Sequence, residues 1–476
     1  MPARAASQLS PVLALHNIET QQRETLLGWP RLASGFALIV AGLTLTYFST
    51  PRVGLLTQCT YSMMMQFGMI LLLPKMIGWG ARGLRPVMDW LFGPEGVIAV
   101  DTMARSPRRT SATVGALMIG LSFVFAVGAF IQSHKSAMNR VLDRTTNADL
   151  LITTSEQIRS RTYHFSEELA RRVGSLPGVE SADNMRMREM AYGPDEVVTI
   201  ARDMAAWLAI SPDLLDEGDS RRARELTARG EGFLISQNFA LRSGVHLGDQ
   251  LRLETPTGTL IRPVVGVLEY YYADKSTVFL DRELYKKFWR DDAVDYIMLN
   301  LKPEVDSAVF KKEVQHVIAG EQRAFIYTHQ EYKQWVNRLT DQFFTLMYLQ
   351  MIIAIFVAAL GLINTVIISV AERQRELGVI RAIGGLRRQV RKMILLEAVS
   401  ISLIGIIMGV LAGVLSAYFL VRTVATIIAG FNLQFHFPFA TVLLMIPAVL
   451  AVALAAAWWP ARRAMRLRIR EAIGYE

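Results

Sequence analysis

Residues 372–385 read Glu-Arg-Gln-Arg-Glu-Leu-Gly-Val-Ile-Arg-Ala-Ile-Gly-Gly and separate two long apolar runs, 342–371 and 398–421. The charged half of this stretch is typical of a helix end, and the closing glycine pair is typical of a break between helices. Beyond the glycines, four apolar residues recur at helical spacing, which predicts one face of a basic amphipathic helix that re-enters the membrane. These residues are Leu386, Val390, Met393 and Ile394.

Outside this stretch, the chain contains further runs that lack Asp, Glu, Lys and Arg. Each can hold the roughly 20 apolar residues that cross a hydrocarbon core. The six runs are Leu32–Pro51, Val53–Pro74, Thr110–His134, Gln342–Ala371, Ala398–Val421 and Thr423–Ala461. The last contains a polar turn near Asn432 to Pro438, so we expect its span to begin after that turn. The pattern predicts six transmembrane helices.

Charge placement predicts the orientation of these helices. Four segments, 1–31, 75–109, 372–397 and 462–476, together hold 21 Lys and Arg against 10 Asp and Glu. The short connections on the other side carry only Arg52 and Arg422. This asymmetry follows the positive-inside rule and predicts cytoplasmic N- and C-termini. Because the basic excess is juxtamembrane, the net charge of +9 does not indicate a nucleic-acid partner.

The stretch from 135 to 341 is polar and predicts one large outer domain with helical stalks. Its strand candidates are Leu150–Thr153, Gly232–Ser236, Gln250–Glu254, Ile261–Tyr272, Thr277–Leu280, Tyr296–Leu301 and Ala324–Tyr327. Its helix candidates are Glu167–Val173, Arg282–Trp289 and Ser307–Ala319. The predicted fold class is therefore a membrane α-helical protein with about six transmembrane helices and one inserted extracytoplasmic α+β domain.

These patterns divide the chain into ten predicted segments. Transmembrane segments are the hairpin 32–78 and the single helices 110–134, 342–371, 398–421 and 437–460. Cytoplasmic segments are 1–31, 79–109, 372–397 and 461–476, and the extracytoplasmic domain is 135–341.

The phrase Glu-Arg-x-Arg-Glu-Leu-Gly-x-x-Arg-Ala-x-Gly at 372–384 resembles the signature of FtsX-like permeases, the membrane subunits of the type VII (MacB/LolE-type) ABC transporter superfamily. The closing phrase Trp459-Pro460-Ala461-Arg462-Arg463-Ala464 resembles the same family. The resemblance covers about 100–476 as one unit, and residues 31–78 resemble the extra hairpin of ten-helix members.

A short repeat predicts that more of such a protein precedes this unit. Pro2-Ala3-Arg4, Ala6 and Leu9 recur as Pro460-Ala461-Arg462, Ala464 and Leu467. The first copy resembles the end of a preceding unit, so we expect the C-terminal half of a ten-helix tandem member. Chance similarity between two Ala/Arg-rich segments is the alternative.

The resemblance implies that the segment 372–392 docks on a separate ATPase subunit. The residues implied in this contact are Glu372, Arg373, Arg375, Glu376, Gly378, Arg381, Gly384, Arg387 and Arg388. The family phrase at Pro460, Ala461 and Arg462 would lie beside it. From the residues alone, a membrane-surface helix held by anionic lipid is the alternative.

A stripe of small residues marks the fifth predicted span. Gly405, Gly409 and Gly413 stand four residues apart, a spacing that permits close helix contact. This face is expected to pack within the chain or against a partner half.

The sequence also indicates which binding sites and catalytic motifs the chain lacks. The chain has no Gly-Lys pair and hence no phosphate-binding loop, so we expect ATP to be bound by a partner subunit and no cofactor by this chain. The seven histidines show no metal-ligand spacing, and no Gly-x-Ser-x-Gly motif is present. No charged residue lies near the centre of a predicted span, which argues against ion-coupled transport. We therefore expect no enzyme activity.

The expected function is that of a permease subunit in the bacterial inner membrane, with its large domain periplasmic. ATP hydrolysis by a separate ATPase dimer would drive export or extraction of a lipid, lipoprotein or other hydrophobic cargo by mechanotransmission. Further expected partners are an N-terminal permease half or second copy, membrane lipid and a periplasmic accessory protein. The alternatives are a non-transporting transducer that activates a cell-wall hydrolase or serves antimicrobial-peptide sensing or detoxification, and a nonfunctional fragment that lacks its first half.

Overall fold

A computed structural model describes most of the chain. The described residues are 29–49, 55–105, 107–155, 163–193, 195–211, 214–270, 275–320, 323–423 and 433–466. The predicted N-terminal repeat copy, the hairpin turn at Thr50-Pro51-Arg52, the turn at Asn432 and the repeat beyond residue 466 lie outside them.

The helices are α1 Trp29–Tyr47, α2 Leu55–Phe92, α3 Pro94–Arg105, α4 Pro107–Thr145, α5 Glu167–Gly174, α6 Met204–Ile210, α7 Ser220–Ala228, α8 Gln237–Ser243, α9 Arg282–Trp289, α10 Ser307–Ile318, α11 His329–Glu372, α12 Gln374–Ala382, α13 Arg387–Phe419 and α14 Phe439–Arg466. The strands are β1 Leu150–Thr153, β2 Val179–Tyr192, β3 Asp195–Arg202, β4 Leu215–Glu217, β5 Phe233–Ser236, β6 Gln250–Thr255, β7 Gly258–Leu268, β8 Ser276–Asp281, β9 Tyr296–Leu301 and β10 Phe325–Thr328.

These elements form two compact units, one helical and one built on a sheet. Among the described residues, the first unit comprises those within 29–132, 346–423 and 435–466, and the second comprises those within 133–345 and 433–434. Within the described residues, six helices are long and apolar enough to cross a membrane, namely α1, α2, α4, α11, α13 and α14. The predicted fold class, a helical membrane protein with one inserted α+β domain, is confirmed.

In the helical unit, the glycine stripe of α13 lies against α4 of the same chain. A Cβ atom on Gly409 would lie 2.7 Å from the Cβ of Leu121, and one on Gly413 would lie 2.8 Å from the Cβ of Phe125. Glycine therefore lets the two helices approach more closely than a larger residue would allow. α4 is the most buried of the six candidate spans, and it also contacts α11, where the hydroxyls of Thr113 and Thr365 form a hydrogen bond.

Helix α2 extends further than the charge pattern predicts. The predicted hairpin ends at 78, whereas α2 continues to Phe92 through Pro74 and Pro86. Its apolar side chains Ala81 and Met88 are buried, so packing supports the helix beyond its first charged residues. Gly93, with a positive φ of 68°, then turns the chain into α3.

The second unit contains a ten-stranded mixed sheet in the order β10-β1-β9-β2-β3-β8-β5-β7-β4, and β6 pairs with β7. The pairs β3/β8 and β5/β7 are parallel, and the other pairs are antiparallel. The bounds of β1 and β9 agree with the sequence-based expectations. The long hairpin of β2 and β3 and the short helices α6, α7 and α8 were missed.

Strand β2 was missed because charged residues alternate with its apolar ones. Arg186 lies between the buried Met185 and Met187 and donates from Nε to Asp291 over 2.9 Å and from Nη1 to Asp295 over 3.1 Å. Asp295 is fully buried and also accepts from the Met187 amide over 2.7 Å. Long-range ion pairs thus allow a charged segment to lie inside the sheet.

The glycine contacts generate a stability prediction. We expect Gly409→Val to lower the melting temperature of the detergent-solubilised chain, because overpacking a tight contact costs about 1–3 kcal/mol. Gly83→Val is the matched control on α2, where nothing lies within 4 Å of a built Cβ atom. Equal melting temperatures for the two variants would contradict close packing of α13 on α4.

Candidate functional site at the charged turn

We call residues 372–388, which join α11 to α13, the charged turn. Gly384 has a φ of 104°, a backbone conformation that residues with a Cβ atom rarely adopt. The Gly385 amide donates to the Ile380 carbonyl over 2.9 Å and closes the turn after α12. The glycine pair therefore ends one helix and reverses the chain before α13 begins.

One side of the charged turn packs inward. Leu377 of α12 and Val390 of α13 are buried, and Ile380 packs against the same core. Gly378 is also buried. This side anchors the turn to the helical unit.

The opposite side exposes three apolar side chains, which we call the apolar tip. Ile383 is 81% exposed, Leu386 is 64% exposed and Val379 is 45% exposed. The exposed Arg387 and Arg388 follow directly. The prediction that Leu386 shares one helix face with Val390 was wrong, because its extended ψ of 144° places it before the first helical turn of α13.

Beneath the charged turn lies a group of charged and polar side chains around the buried Glu397, which we call the ion network. It consists of Arg109, Ser369, Glu372, Arg373 and Glu397. Glu397 is 6% exposed, accepts a hydrogen bond from the Ser369 hydroxyl over 2.7 Å, and lies 3.7 Å from Arg109 and 3.8 Å from Arg373. Arg109 also pairs with Glu372 and donates to Ser369 over 3.1 Å.

The ion network joins residues of three helices and the residue that precedes a fourth. Arg109 lies in the first turn of α4, Ser369 and Glu372 lie at the end of α11, Arg373 precedes α12, and Glu397 lies in α13. Two guanidinium groups face two carboxylates, so the charges are balanced. Paired and hydrogen-bonded charges can remain buried, whereas a lone charge could not.

The structure separates the predicted contact residues into groups. Glu372 and Arg373 belong to the ion network, and the Arg373 Nε donates to Glu376 over 2.7 Å. Arg387, Arg388 and Gly384 are exposed, and Arg381 is half-buried. The side chain of Arg375 lies outside the described residues. The sequence did not lead us to Arg109, Ser369 and Glu397 as site residues. Arg109 and Glu397 each border an apolar run, and a charged residue at such a border is a signal that could have identified them.

The first turns of α13 also contact α3. The Lys392 ammonium donates to the Phe92 carbonyl over 3.1 Å and lies 3.5 Å from a Glu95 carboxylate oxygen. The backbone amide at the start of α3 lowers the pKa of Glu95, and Lys392 adds to this against a smaller opposing effect of burial. An ion pair thus connects α3 to the helix that follows the charged turn.

The C-terminal phrase packs against the same helix. Pro460 and Ala461 are buried. The Arg462 guanidinium lies 4.9 Å from the Trp458 ring centroid, and Arg391 of α13 lies 5.4 Å from that centroid. One aromatic ring therefore links the end of α14 to α13 through two cation–π contacts.

Two family models match the chain in adjoining regions. The model described as FtsX-like permease C-terminal matches residues 348–469, and the model described as MacB-like periplasmic core domain matches residues 110–317. The first region contains the charged turn, and the second contains α4 except its first three residues and most of the sheet unit.

Individual relatives are similar over longer ranges. An uncharacterised ABC transporter permease protein of Mycobacterium tuberculosis, Rv0987, is 27% identical over 85% of this chain and 48% of the relative. The macrolide export ATP-binding/permease protein MacB of Sodalis glossinidius is 24% identical over 80% of this chain and 60% of the relative. The chain spans about half the length of the curated relatives it matches.

Solved structures show a more distant likeness. The periplasmic region of MacB from Actinobacillus actinomycetemcomitans aligns with 12% identity and a TM-score of 0.31, over 42% of this chain and 98% of that one. The extracellular domain of the transporter YknZ from Gram-positive bacteria aligns with 12% identity and a TM-score of 0.28, over 38% of this chain and 100% of that one. With the two family models covering residues 110–317 and 348–469, the chain belongs to the FtsX-like permeases that carry a MacB-like periplasmic core domain.

Proposed function

We propose that this chain is the membrane subunit of an ABC transporter of the MacB/FtsX type. A separate ATPase dimer hydrolyses ATP and docks on the charged turn. The chain has no Gly-Lys pair for a phosphate-binding loop, and the MacB relatives are named ATP-binding/permease proteins. The basic excess on the side of the charged turn supports a cytoplasmic position for this surface and a periplasmic position for the sheet unit.

The observation that carries the proposal is the apolar tip on its buried support. Ile383 and Leu386 are exposed although the turn beneath them is anchored by Leu377 and Val390. Apolar side chains held outward on a rigid support can fill a pocket on a partner with little loss of conformational entropy. Arg387 and Arg388 would add charged contacts at the rim of this interface.

In this proposal, the ion network transmits a movement of the charged turn to α4 and α11. A displacement of the charged turn would shift Arg373 and Glu372, which contact Glu397 and Arg109. Arg109 begins α4 and Glu372 ends α11, and each of these helices continues without a break into the sequence of the sheet unit. In this proposal α4 and α11 pass the movement to the outer domain, which acts on a lipid, lipoprotein or other hydrophobic cargo to export or extract it.

A second permease copy or a partner half would complete the transporter. The most apolar windows of α11 and α14 are only 22% and 17% buried within this chain, so large parts of both helices remain available to lipid or to another permease. A periplasmic accessory protein is a further proposed partner of the outer domain.

The docking proposal is tested at the apolar tip. Ile383→Asp should weaken retention of the ATPase that co-purifies with the wild-type chain by roughly tenfold or more, because a charge would enter an apolar pocket. Val309→Asp on α10 is the matched control, since Val309 is 69% exposed in the outer domain. The readouts are ATPase co-purification and ATP hydrolysis in mild detergent. Full retention by Ile383→Asp, or no ATPase with the wild-type chain, would contradict the proposal.

The role of the ion network is tested at Glu397. Glu397→Ala leaves Arg109 and Arg373 without their buried carboxylate and should destabilise the helical unit by about 3 kcal/mol. Thermal unfolding of the solubilised chain measures this loss. Glu376→Ala is the control, because it removes a 58% exposed carboxylate from the same Arg373. If Glu397→Ala unfolded at the wild-type temperature, the network would not hold the helix ends together.

A further inference from the structure

The second half of α2 presents an exposed apolar face that no part of the described chain covers. Trp90 is 85% exposed, Trp79 is 54% exposed, and Leu91 and Val87 are 53% and 46% exposed. Their spacing along the helix brings Trp79, Val87 and Trp90 towards one side. Two exposed tryptophans on one helix face mark a surface that meets something other than water.

Basic residues border this apolar face. Arg82 is exposed, and the side chain of Arg85 is 59% exposed although it lies 3.6 Å from Asp101. The Lys75 ammonium lies 6.0 Å from the Trp79 ring centroid. Against these three cations the face carries one exposed carboxylate, Asp89. The excess of positive charge on this face of α2 therefore complements an anionic surface.

Contacts with α13 give the level of this face relative to the membrane spans. A Cβ atom on Gly80 would lie 2.9 Å from the Ile404 Cδ1, and the Phe92 carbonyl accepts from Lys392. α2 thus runs antiparallel to α13 between these two contacts, and Glu397 lies between them in the sequence of α13. The charge-free part of α13 begins directly after Glu397. Residues 80–92 therefore lie where an apolar span meets its charged end, which is the level of lipid headgroups.

We propose that this face of α2 binds anionic phospholipid in the leaflet on the side of the charged turn. The guanidinium groups of Arg82 and Arg85 contact lipid phosphates, and Trp79 and Trp90 lie at the boundary between headgroups and acyl chains. Lipid is favoured over a protein occupant because the face is continuous with a membrane-spanning helix and combines tryptophan with arginine. The inference does not depend on ATPase docking, so the two proposals can fail separately.

The position of the face can be measured with single spin labels in the full chain. Cys59 is the only cysteine, so Cys59→Ala provides a cysteine-free background. Labels at Trp90→Cys, Ile383→Cys and Phe356→Cys are compared in nanodiscs of phosphatidylcholine and phosphatidylglycerol. Ile383 is 81% exposed on the charged turn, and Phe356 is 63% exposed within the span of α11. The readout is label collision with oxygen and with a water-soluble nickel chelate.

The label at Trp90 should be less accessible to nickel than the label at Ile383 and less accessible to oxygen than the label at Phe356, because it lies at the boundary between headgroups and acyl chains. Nickel access equal to that at Ile383 would overturn the proposal. Shielding that appears only when the co-purifying ATPase is added would also overturn it, because a protein would then be the occupant.

Preference for anionic lipid is measured by native mass spectrometry of the full chain released from the same nanodiscs. The double variant Arg82→Gln and Arg85→Gln should retain phosphatidylglycerol roughly fivefold less per arginine removed, relative to phosphatidylcholine. The double variant Arg221→Gln and Arg224→Gln is the matched control, since both arginines are exposed on α7 of the outer domain. Unchanged preference in the α2 variant, or an equal loss in the control, would overturn the proposal.

Discussion

Glu397 can lie buried at the start of a membrane span only because two guanidinium groups and a hydroxyl meet it there. A carboxylate without such partners would be far too costly to remove from water. Its partners Arg109, Ser369 and Arg373 come from other helices or from the connection between them. The charge can therefore be accommodated only when the start of α4, the end of α11 and the third turn of α13 meet at one place.

Because these helix segments meet beneath it, the charged turn is held in a fixed position. A connection of similar composition on a free loop would move independently, whereas this one is anchored by the ion network and by buried Leu377 and Val390. Ile383 directly precedes Gly384, whose φ is positive, and is exposed. An anchored turn with exposed apolar side chains can transmit a displacement caused by a bound partner to the helices. A flexible loop would change its own conformation instead and would not transmit the displacement.

The apolar tip and the exposed face of α2 differ in the side chains that they present. The apolar tip consists of aliphatic side chains on a short turn after α12, next to Arg387 and Arg388. The face of α2 carries Trp79 and Trp90 on a continuous helix that also forms a candidate span. Tryptophan beside arginine is the composition found where a helix leaves the hydrocarbon region, which supports the proposal of lipid at the second surface.

The sequence by itself determined the number of candidate spans and the class of the fold, because charge-free runs of sufficient length and a long polar insertion are local properties of the chain. It also determined the glycine break of the charged turn, since a positive φ is a local demand that glycine meets. Only the tertiary structure decided that Glu372, Arg373 and the buried Glu397 share one network with Arg109, that Leu386 is exposed, and that β2 lies inside the sheet with Arg186 paired to Asp295. In the ion network and in β2, a charged residue is accommodated by a partner far away in the chain, and spacing along the sequence carries no record of such a pairing.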